Sequence, residues 1–284
     1  MAMSGDQKGS LTLVGTPIGN LGDFSPRAVE ALENADLIAA EDTRVTLKLL
    51  NHFGIKKPLV SYFEHNKRDR GEQLLSQMAS GTHLVLVSDA GMPAISDPGE
   101  TLCNSCHERG IPVTVVPGPT AVTTAVALSG FPSGRFTFEG FLSTNKKSRA
   151  DHLKSVKDET RTMVFYEAPH KLRATARDLR DTFGEDRPVA VIRELTKLHE
   201  EVWRTTLGEA AARYREEEPR GEYVLVIAGA AQKEDAPAFT LNLAVALARD
   251  LVNDGNSASA AAKEAAAQTG FSKGEIYKRL VEEE

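Results

Sequence analysis

The chain has 284 residues, 41% hydrophobic and 26% charged, with a formal net charge of −6. Such a make-up allows two domain-sized cores and excludes wholesale disorder, and the acidic total argues against a protein that coats nucleic acid without selectivity. No apolar run reaches membrane-spanning length, so no membrane partner is expected.

The polar residues 1–10 lack the apolar core of a secretory signal and read as a flexible leader, which makes a cytoplasmic location the default expectation. From residue 11 onward short β-rich runs alternate with helical periodicity. Strands are predicted at 11–14, 37–40, 59–63, 84–87 and 113–116, with helices starting near Ser25-Pro26, Thr43, Arg68, Glu100 and Thr120. Serine caps and proline suits a first helical turn, so the Ser25-Pro26 start is well marked. Strand then helix, repeated, predicts a parallel sheet covered on both faces, and the unbroken apolar run at 84–87 suits its centre.

Three of these strands empty into unusual loops. Residues 88–99 hold two Gly, two Pro and two Asp after the 84–87 run; Gly15-Thr16-Pro17-Ile18-Gly19-Asn20 follows 11–14, and Pro117-Gly118-Pro119-Thr120 follows 113–116. Singly each is an ordinary strand-to-helix turn. Together, at the carboxyl edge of one sheet, they predict a ligand pocket. The first fails the G-x-G-x-x-G spacing, which disfavours a nicotinamide dehydrogenase. Cys103-Asn104-Ser105-Cys106-His107 matches the haem-attachment string but falls in a predicted helix, so two surface or half-buried thiols without a disulfide are expected.

After about residue 130 the rhythm changes. Predicted strands at 135–141, 162–166, 189–193, 202–206 and 223–227, with helices at 148–156 and 171–183, form a second α/β domain with a mixed sheet. The division is thus an N-terminal domain at 11–130, a second at 131–228, a linker at 229–239 and a helical segment at 240–284. The last holds helices at 241–252, 257–268 and 272–281. It reads either as a helix-turn-helix-like unit or as a small alanine-rich bundle packed on the parent domain.

Chemistry-bearing residues cluster after two strands of the second domain: Tyr166-Glu167-Ala168-Pro169-His170-Lys171 and Arg193-Glu194-Leu195-Thr196-Lys197. There is no His-x-x-x-His, no Cys-His cluster and no G-x-S-x-G, so neither a metal site nor a Ser-His-Asp hydrolase is indicated. Residues 146–180 carry ten Lys and Arg against five Asp and Glu, which leaves −11 for the rest of the chain. Lys146, Lys147 and Arg149, placed in a predicted loop, are candidate contacts to the phosphates of an RNA.

Read together, the Gly15–Asn20 segment, Glu41-Asp42-Thr43-Arg44, residues 88–99, Val116-Pro117-Gly118-Pro119, Glu139-Gly140-Phe141-Leu142 and the two clusters just described resemble the small-subunit ribosomal RNA 2′-O-ribose methyltransferase I family, a branch of the tetrapyrrole methylase superfamily. The resemblance implies two α/β domains, a parallel-sheet N-terminal domain and a mixed-sheet second domain, plus a small C-terminal helical segment. It implies S-adenosylmethionine held between the domains, and methyl transfer to the ribose 2′-hydroxyl of a cytidine in the decoding region of 16S rRNA, within the assembled 30S subunit, by a homodimer. Cofactor contacts carried over by motif position are Pro17, Asp89, Ile95, Thr120, Ala121, Glu167 and Thr205. Thr205 departs from the glycine frequent among relatives, and Ser143-Thr144 stands where proline is expected, which bears on the shape of the basic loop.

The transfer needs alignment and loss of a hydroxyl proton. Glu167, Glu194 or Lys197 is expected to deprotonate or orient the hydroxyl while Arg193 holds a phosphate. Two rivals exist: a tetrapyrrole C-methyltransferase, which would need neither the basic loop nor the C-terminal helices, and a nucleic-acid-binding regulator, whose recognition helix here carries more glutamates than basic residues and reads DNA poorly.

Overall fold

The computed structural model describes residues 9–231 and 240–282, so the expected leader, apart from Gly9 and Ser10, and most of the expected linker lie outside the described residues. Two compact units divide the chain near residue 230.

The first unit holds two five-stranded sheets. In the first sheet β1 (Ser10–Val14), β2 (Leu37–Ala40), β3 (Leu59–Ser61), β4 (His83–Val87) and β5 (Val113–Val116) run parallel in the order β3-β2-β4-β1-β5. Ser10, expected in the leader, opens β1. The predicted central strand is central, and its alternation shows why: Val85 and Val87 pack on one face with Val14, Ile38 and Leu32, while Leu84 and Leu86 pack on the other with Leu11, Leu74 and Leu102. Helices α1 (Pro26–Asn34) and α2 (Thr43–His52) cover the first face, and α3 (Lys67–Ala79) and α4 (Gly99–Glu108) the second. The Ser25 hydroxyl caps α1 by accepting from the Ala28 amide at 3.1 Å, and the Asp42 carboxylate caps α2 by accepting from the Arg44 amide at 2.8 Å. Both cysteines lie on α4 as free thiols; burial pushes the Cys106 thiol up to about 11.

Helix α5 (Ala121–Ser129) corrects the expected boundary at 130. Its buried residues Val122, Ala125 and Val126 pack with Val164, Ala190, Ile192, Val224 and Val226, all of the second sheet. By packing, the first sheet's layer ends at the 117–120 loop, because the apolar stripe of α5 finds no free face on a sheet already covered on both sides.

The second sheet comprises β6 (Phe136–Phe141), β7 (Thr162–Glu167), β8 (Pro188–Arg193), β9 (Glu201–Thr206) and β10 (Tyr223–Ile227) in the order β6-β7-β10-β8-β9. It is mixed, as predicted: β6 and β7 are parallel and the other pairs antiparallel. Helices α6 (Lys146–Ser155), α7 (Pro169–Phe183) and α8 (Leu207–Glu216) cover the face opposite α5.

The second unit is a helical trio, α9 (Leu241–Asn253), α10 (Ala258–Thr269) and α11 (Lys273–Glu282). Its own core joins Ala244, Val245 and Ala248 to Ala261, Ala265, Ile276 and Leu280. Small alanines bring α9 and α10 close, and Gly270 in the left-handed region ends α10.

The boundary correction is testable by denaturant unfolding. Val126→Ala, which empties part of the second core, should lower stability by about 1–3 kcal/mol, while Leu128→Ala on the exposed side of the same helix should stay within about 0.5 kcal/mol.

Candidate functional site

The three loops predicted to converge do so through backbone contacts. The Thr16 amide donates to the Gly91 carbonyl at 2.9 Å and the Gly91 amide returns the bond to Thr16 at 3.1 Å. The Thr16 hydroxyl donates to the Ser88 carbonyl at 3.2 Å, which ties the β1 loop to the end of β4. The β5 loop presses on the β1 loop so closely that a Cβ on Gly118 would lie 2.7 Å from the Gly15 carbonyl oxygen, so that crossing requires glycine. Beyond the bridge, Ala94 and Ser96 hold φ of 66° and 64°, a left-handed conformation that costs free energy in non-glycine residues. Asp97 holds the turn, its Oδ1 accepting from the Ala94 amide at 3.0 Å and the Gly99 amide at 2.7 Å.

These loops form one wall of a cleft of about 550 Å³, and the ends of β6, β7, β8 and β10 form the other. On the first wall stand the carboxylates of Glu41, Asp89 and Asp97. Burial pushes all three above the ordinary carboxylate range, and mutual repulsion adds to it at Glu41, which faces both Asp89 and Asp97. Asp89 Oδ1 also accepts from the Asp42 amide at 2.9 Å, which fixes its position. A wall of three neighbouring carboxylates, only partly offset by backbone amides and Arg44, favours a cationic ligand. The opposite wall carries Phe141 and Tyr166, whose rings meet edge to face at 5.4 Å; burial pushes the Tyr166 phenol up to about 12. Ile18, Ile192, Leu195 and Val224 supply an apolar lining, and the first turns of α5 and α7 reach the cleft at Thr120-Ala121 and Ala168–His170.

Of the expected cofactor contacts, Asp89, Ile95, Thr120, Ala121 and Glu167 line this cleft. Two do not. Pro17 lines a smaller adjoining pocket, with Ser88 and Asp89 forming the wall common to both. Thr205 pairs with Val189 at the start of β8, whereas the cleft lies at the end of that strand, and its hydroxyl is bound to the Glu209 carboxylate. An antiparallel edge strand carries its last residues away from the cleft, so Thr205 cannot serve as a contact there.

Of the expected catalytic residues, Glu167, Glu194 and Lys197 are tightly partnered, whereas the buried Arg193 Nε has no hydrogen-bond partner among the described residues. Glu167 is 2% exposed and its carboxylate accepts from its neighbour's Ala168 amide at 2.9 Å and from the Thr175 hydroxyl. Arg193 faces Glu201 at 3.5 Å. Glu194 accepts from the Glu222 amide and from Lys197, each at 2.9 Å; burial alone would raise its pKa, but these partners hold it below the ordinary range. Lys197 bridges Glu194 and Glu222, at 2.9 and 2.8 Å, and of these three only Glu222 lines the cleft. The stem of Lys197 meets the β1 loop, since a Cβ on Gly19 would run into Lys197 Cγ. The β8–β9 connection that carries these groups is a turn with Glu194 and Thr196 at positive φ.

The basic loop is corrected in shape. Lys146, Lys147 and Arg149 form the first turn of α6, capped by Asn145, whose side-chain Oδ1 accepts from the Lys147 and Ser148 amides. Lys146 and Lys147 are exposed, but the Arg149 side chain is 12% exposed, paired with Asp178 at 2.7 Å and donating to the Thr175 hydroxyl at 2.8 Å, so it is not free to meet a phosphate. Sequence reasoning gives no role to Glu41, Asp97 or Glu222, while His170, a possible base by sequence, does line the cleft. The first two lie within quoted motifs, Glu41 directly after β2 and Asp97 in the turn before α4, whereas Glu222, just before β10, carries no local signal.

The tetrapyrrole (corrin/porphyrin) methylase family matches residues 10–211. A protein of Synechocystis sp. named ribosomal RNA small subunit methyltransferase I is 48% identical over 96% of this chain and 98% of its own. Proteins of the same name from Escherichia coli O157:H7 and Thermotoga maritima are 43% identical over 98% of this chain and 97% of the relative, and 49% identical over 78% and 99%. Among solved structures, uroporphyrin-III-C-methyltransferase from Thermus thermophilus superimposes with a TM-score of 0.56 at 20% identity, covering 78% of this chain and 94% of that one, a likeness of fold. A family match over all of the first sheet and four strands of the second, with relatives this similar over nearly the whole length, establishes that the chain belongs to the tetrapyrrole methylase family, in the branch of ribosomal RNA small subunit methyltransferase I.

Proposed function

We propose that the chain transfers a methyl group from S-adenosylmethionine to the ribose 2′-hydroxyl of a cytidine in the decoding region of 16S rRNA, acting in the cytoplasm on the assembled 30S subunit as a homodimer. The observation that carries the reading is the carboxylate wall of Glu41, Asp89 and Asp97 in a cleft whose other lining is mainly apolar. Its volume of about 550 Å³ lies within the range of small-molecule sites, about 300–1,000 Å³. The names of the relatives and one fold neighbour titled as a complex with S-adenyl homocysteine support the same donor.

When bound, S-adenosylmethionine supplies an electrophilic methyl on a sulfonium, so the reaction needs in-line positioning and a place for one proton. Asp89 and its neighbours offer negative charge to the donor's cationic groups; Ile18, Ile95 and Leu195 offer apolar surface to its heterocycle. Thr120 and Ala121 bring the amino end of α5, which favours a carboxylate. Glu167, by holding the Ala168 amide, fixes the first turn of α7 at the cleft, and Glu194 with Lys197 fixes Glu222. Their role is therefore to position groups around the acceptor hydroxyl. Lys146 and Lys147 remain the exposed cations for RNA phosphates.

Incubation with labelled donor and small subunits lacking the modification should place the label on one cytidine ribose, mapped by local resistance to alkaline cleavage; label on a base, or none, would remove this reading. Asp89→Asn keeps the acceptor for the Asp42 amide but removes charge, and should weaken donor binding about tenfold by calorimetry with the melting temperature nearly unchanged.

The pH response separates folding from binding. Carboxylates whose folded pKa is raised add stability while protonated and lose it as pH rises through that range. Going from about pH 7 to about pH 5 should therefore raise the melting temperature of the ligand-free parent relative to Glu41→Gln, and weaken donor binding over the same interval.

A further inference from the structure

Beside the main cleft lies a second pocket of about 210 Å³. Pro17 and Leu21 from the β1 loop face Val45, Thr46, Lys48 and Leu49, which line up along one side of α2 by their spacing of one, three and four residues. Ser88 and Asp89 line both cavities, so the two share a wall.

Size, apolar walls and the two lining side chains with no partner among the described residues, Thr46 and Lys48, indicate the occupant; the hydroxyls of Thr16 and Ser88 and the Asp89 carboxylate, which also line the pocket, are held by backbone groups. The volume is below that of whole-ligand sites, about 300–1,000 Å³, which suits a single flat heterocycle. Leu21 and Val45 are left 43% and 40% exposed at the opening, apolar surface against which a base plane can pack. Thr46 is 3% exposed and its hydroxyl enters no hydrogen bond with another described residue; Lys48 makes no ion pair with one. That leaves one hydroxyl to meet the polar edge of a ring and one cation to meet a phosphate.

We propose that this pocket seats the base of the target nucleotide, drawn out of the RNA, so that its ribose rests against Ser88 and Asp89 beside the methyl donor. The inference rests on the methyl-transfer reading and deepens it by naming where the acceptor nucleotide is held. Extrusion costs the base its stacking, and contact with Leu21, Val45 and Leu49 plus a hydrogen bond to Thr46 offsets the loss. Since the wall is common to both cavities, the sugar carried by a base in the smaller one is the part of the substrate that reaches the larger one. Lys48 meets a flanking phosphate and contributes to the salt dependence of binding.

Two variants test this, each measured for donor binding by calorimetry, for folding by circular dichroism and for methylation of unmodified small subunits. Val45→Trp fills the pocket and should lower kcat/KM for the subunit about 100-fold, and Thr46→Val should lower it about tenfold and narrow discrimination between cytidine and uridine at the target, with donor Kd within about twofold in both. Parent-like methylation by both folded variants overturns the proposal. So does a donor Kd that weakens in step with the rate, because the small pocket would then belong to the donor's seat. A parent that binds no donor overturns instead the reading on which the proposal rests, and that control is run first.

Discussion

The reciprocal pair of hydrogen bonds between Thr16 and Gly91 is the contact on which the site depends. Loops leaving β1 and β4 carry many backbone polar groups to the edge of the sheet, where each needs a partner, and this pair satisfies four of those groups at once while fixing the loops' spacing. Gly15 and Gly118 then let the β5 loop close over the same point. With these three loops locked, the 88–99 segment can hold Ala94 and Ser96 in a conformation they would leave if free, and Glu41, Asp89 and Asp97 can be kept near one another despite their repulsion. Stability is given up locally at the place where a cationic ligand would restore it, a common feature of functional sites.

The second sheet supplies the facing wall through different physics. Its residues reach the cleft from strands of both directions, so β7 and β8 contribute their last residues and β10 its first. The Glu194–Lys197–Glu222 bridge fixes the start of β10, and the packing of Lys197 against Gly19 sets how closely the β8–β9 turn approaches the β1 loop. Helix α5 joins the two layers in sequence but belongs to the second core, so the 117–120 loop both lines the site and links the sheets.

Much of this architecture was legible because it follows from periodicity. The apolar runs at 11–14 and 84–87, the Ser25-Pro26 cap and the glycine- and proline-rich loops each have a local cause, and the structure places them as that cause requires. What sequence could not give were choices made by tertiary packing. The stripe of α5 shows that one helical face is buried but not against which sheet. Lys146 and Lys147 follow Asn145, whose capping side chain makes their segment the first turn of α6 rather than the loop expected from their charge. Arg149 reads as a free cation until Asp178, 29 positions on, is brought beside it. Motif position alone points Thr205 at the cofactor, while strand direction sets it at the far end of the sheet.

We propose that one cleft, bounded by the 88–99 loop and by Tyr166–His170, holds the methyl donor. A crystal structure of the protein grown with S-adenosylhomocysteine tests it most directly. Ligand density should touch Asp89, Ile95 and Ala121 on one wall and the first turn of α7 on the other; density elsewhere on the chain, with that cleft filled by its own side chains, rules this seat out.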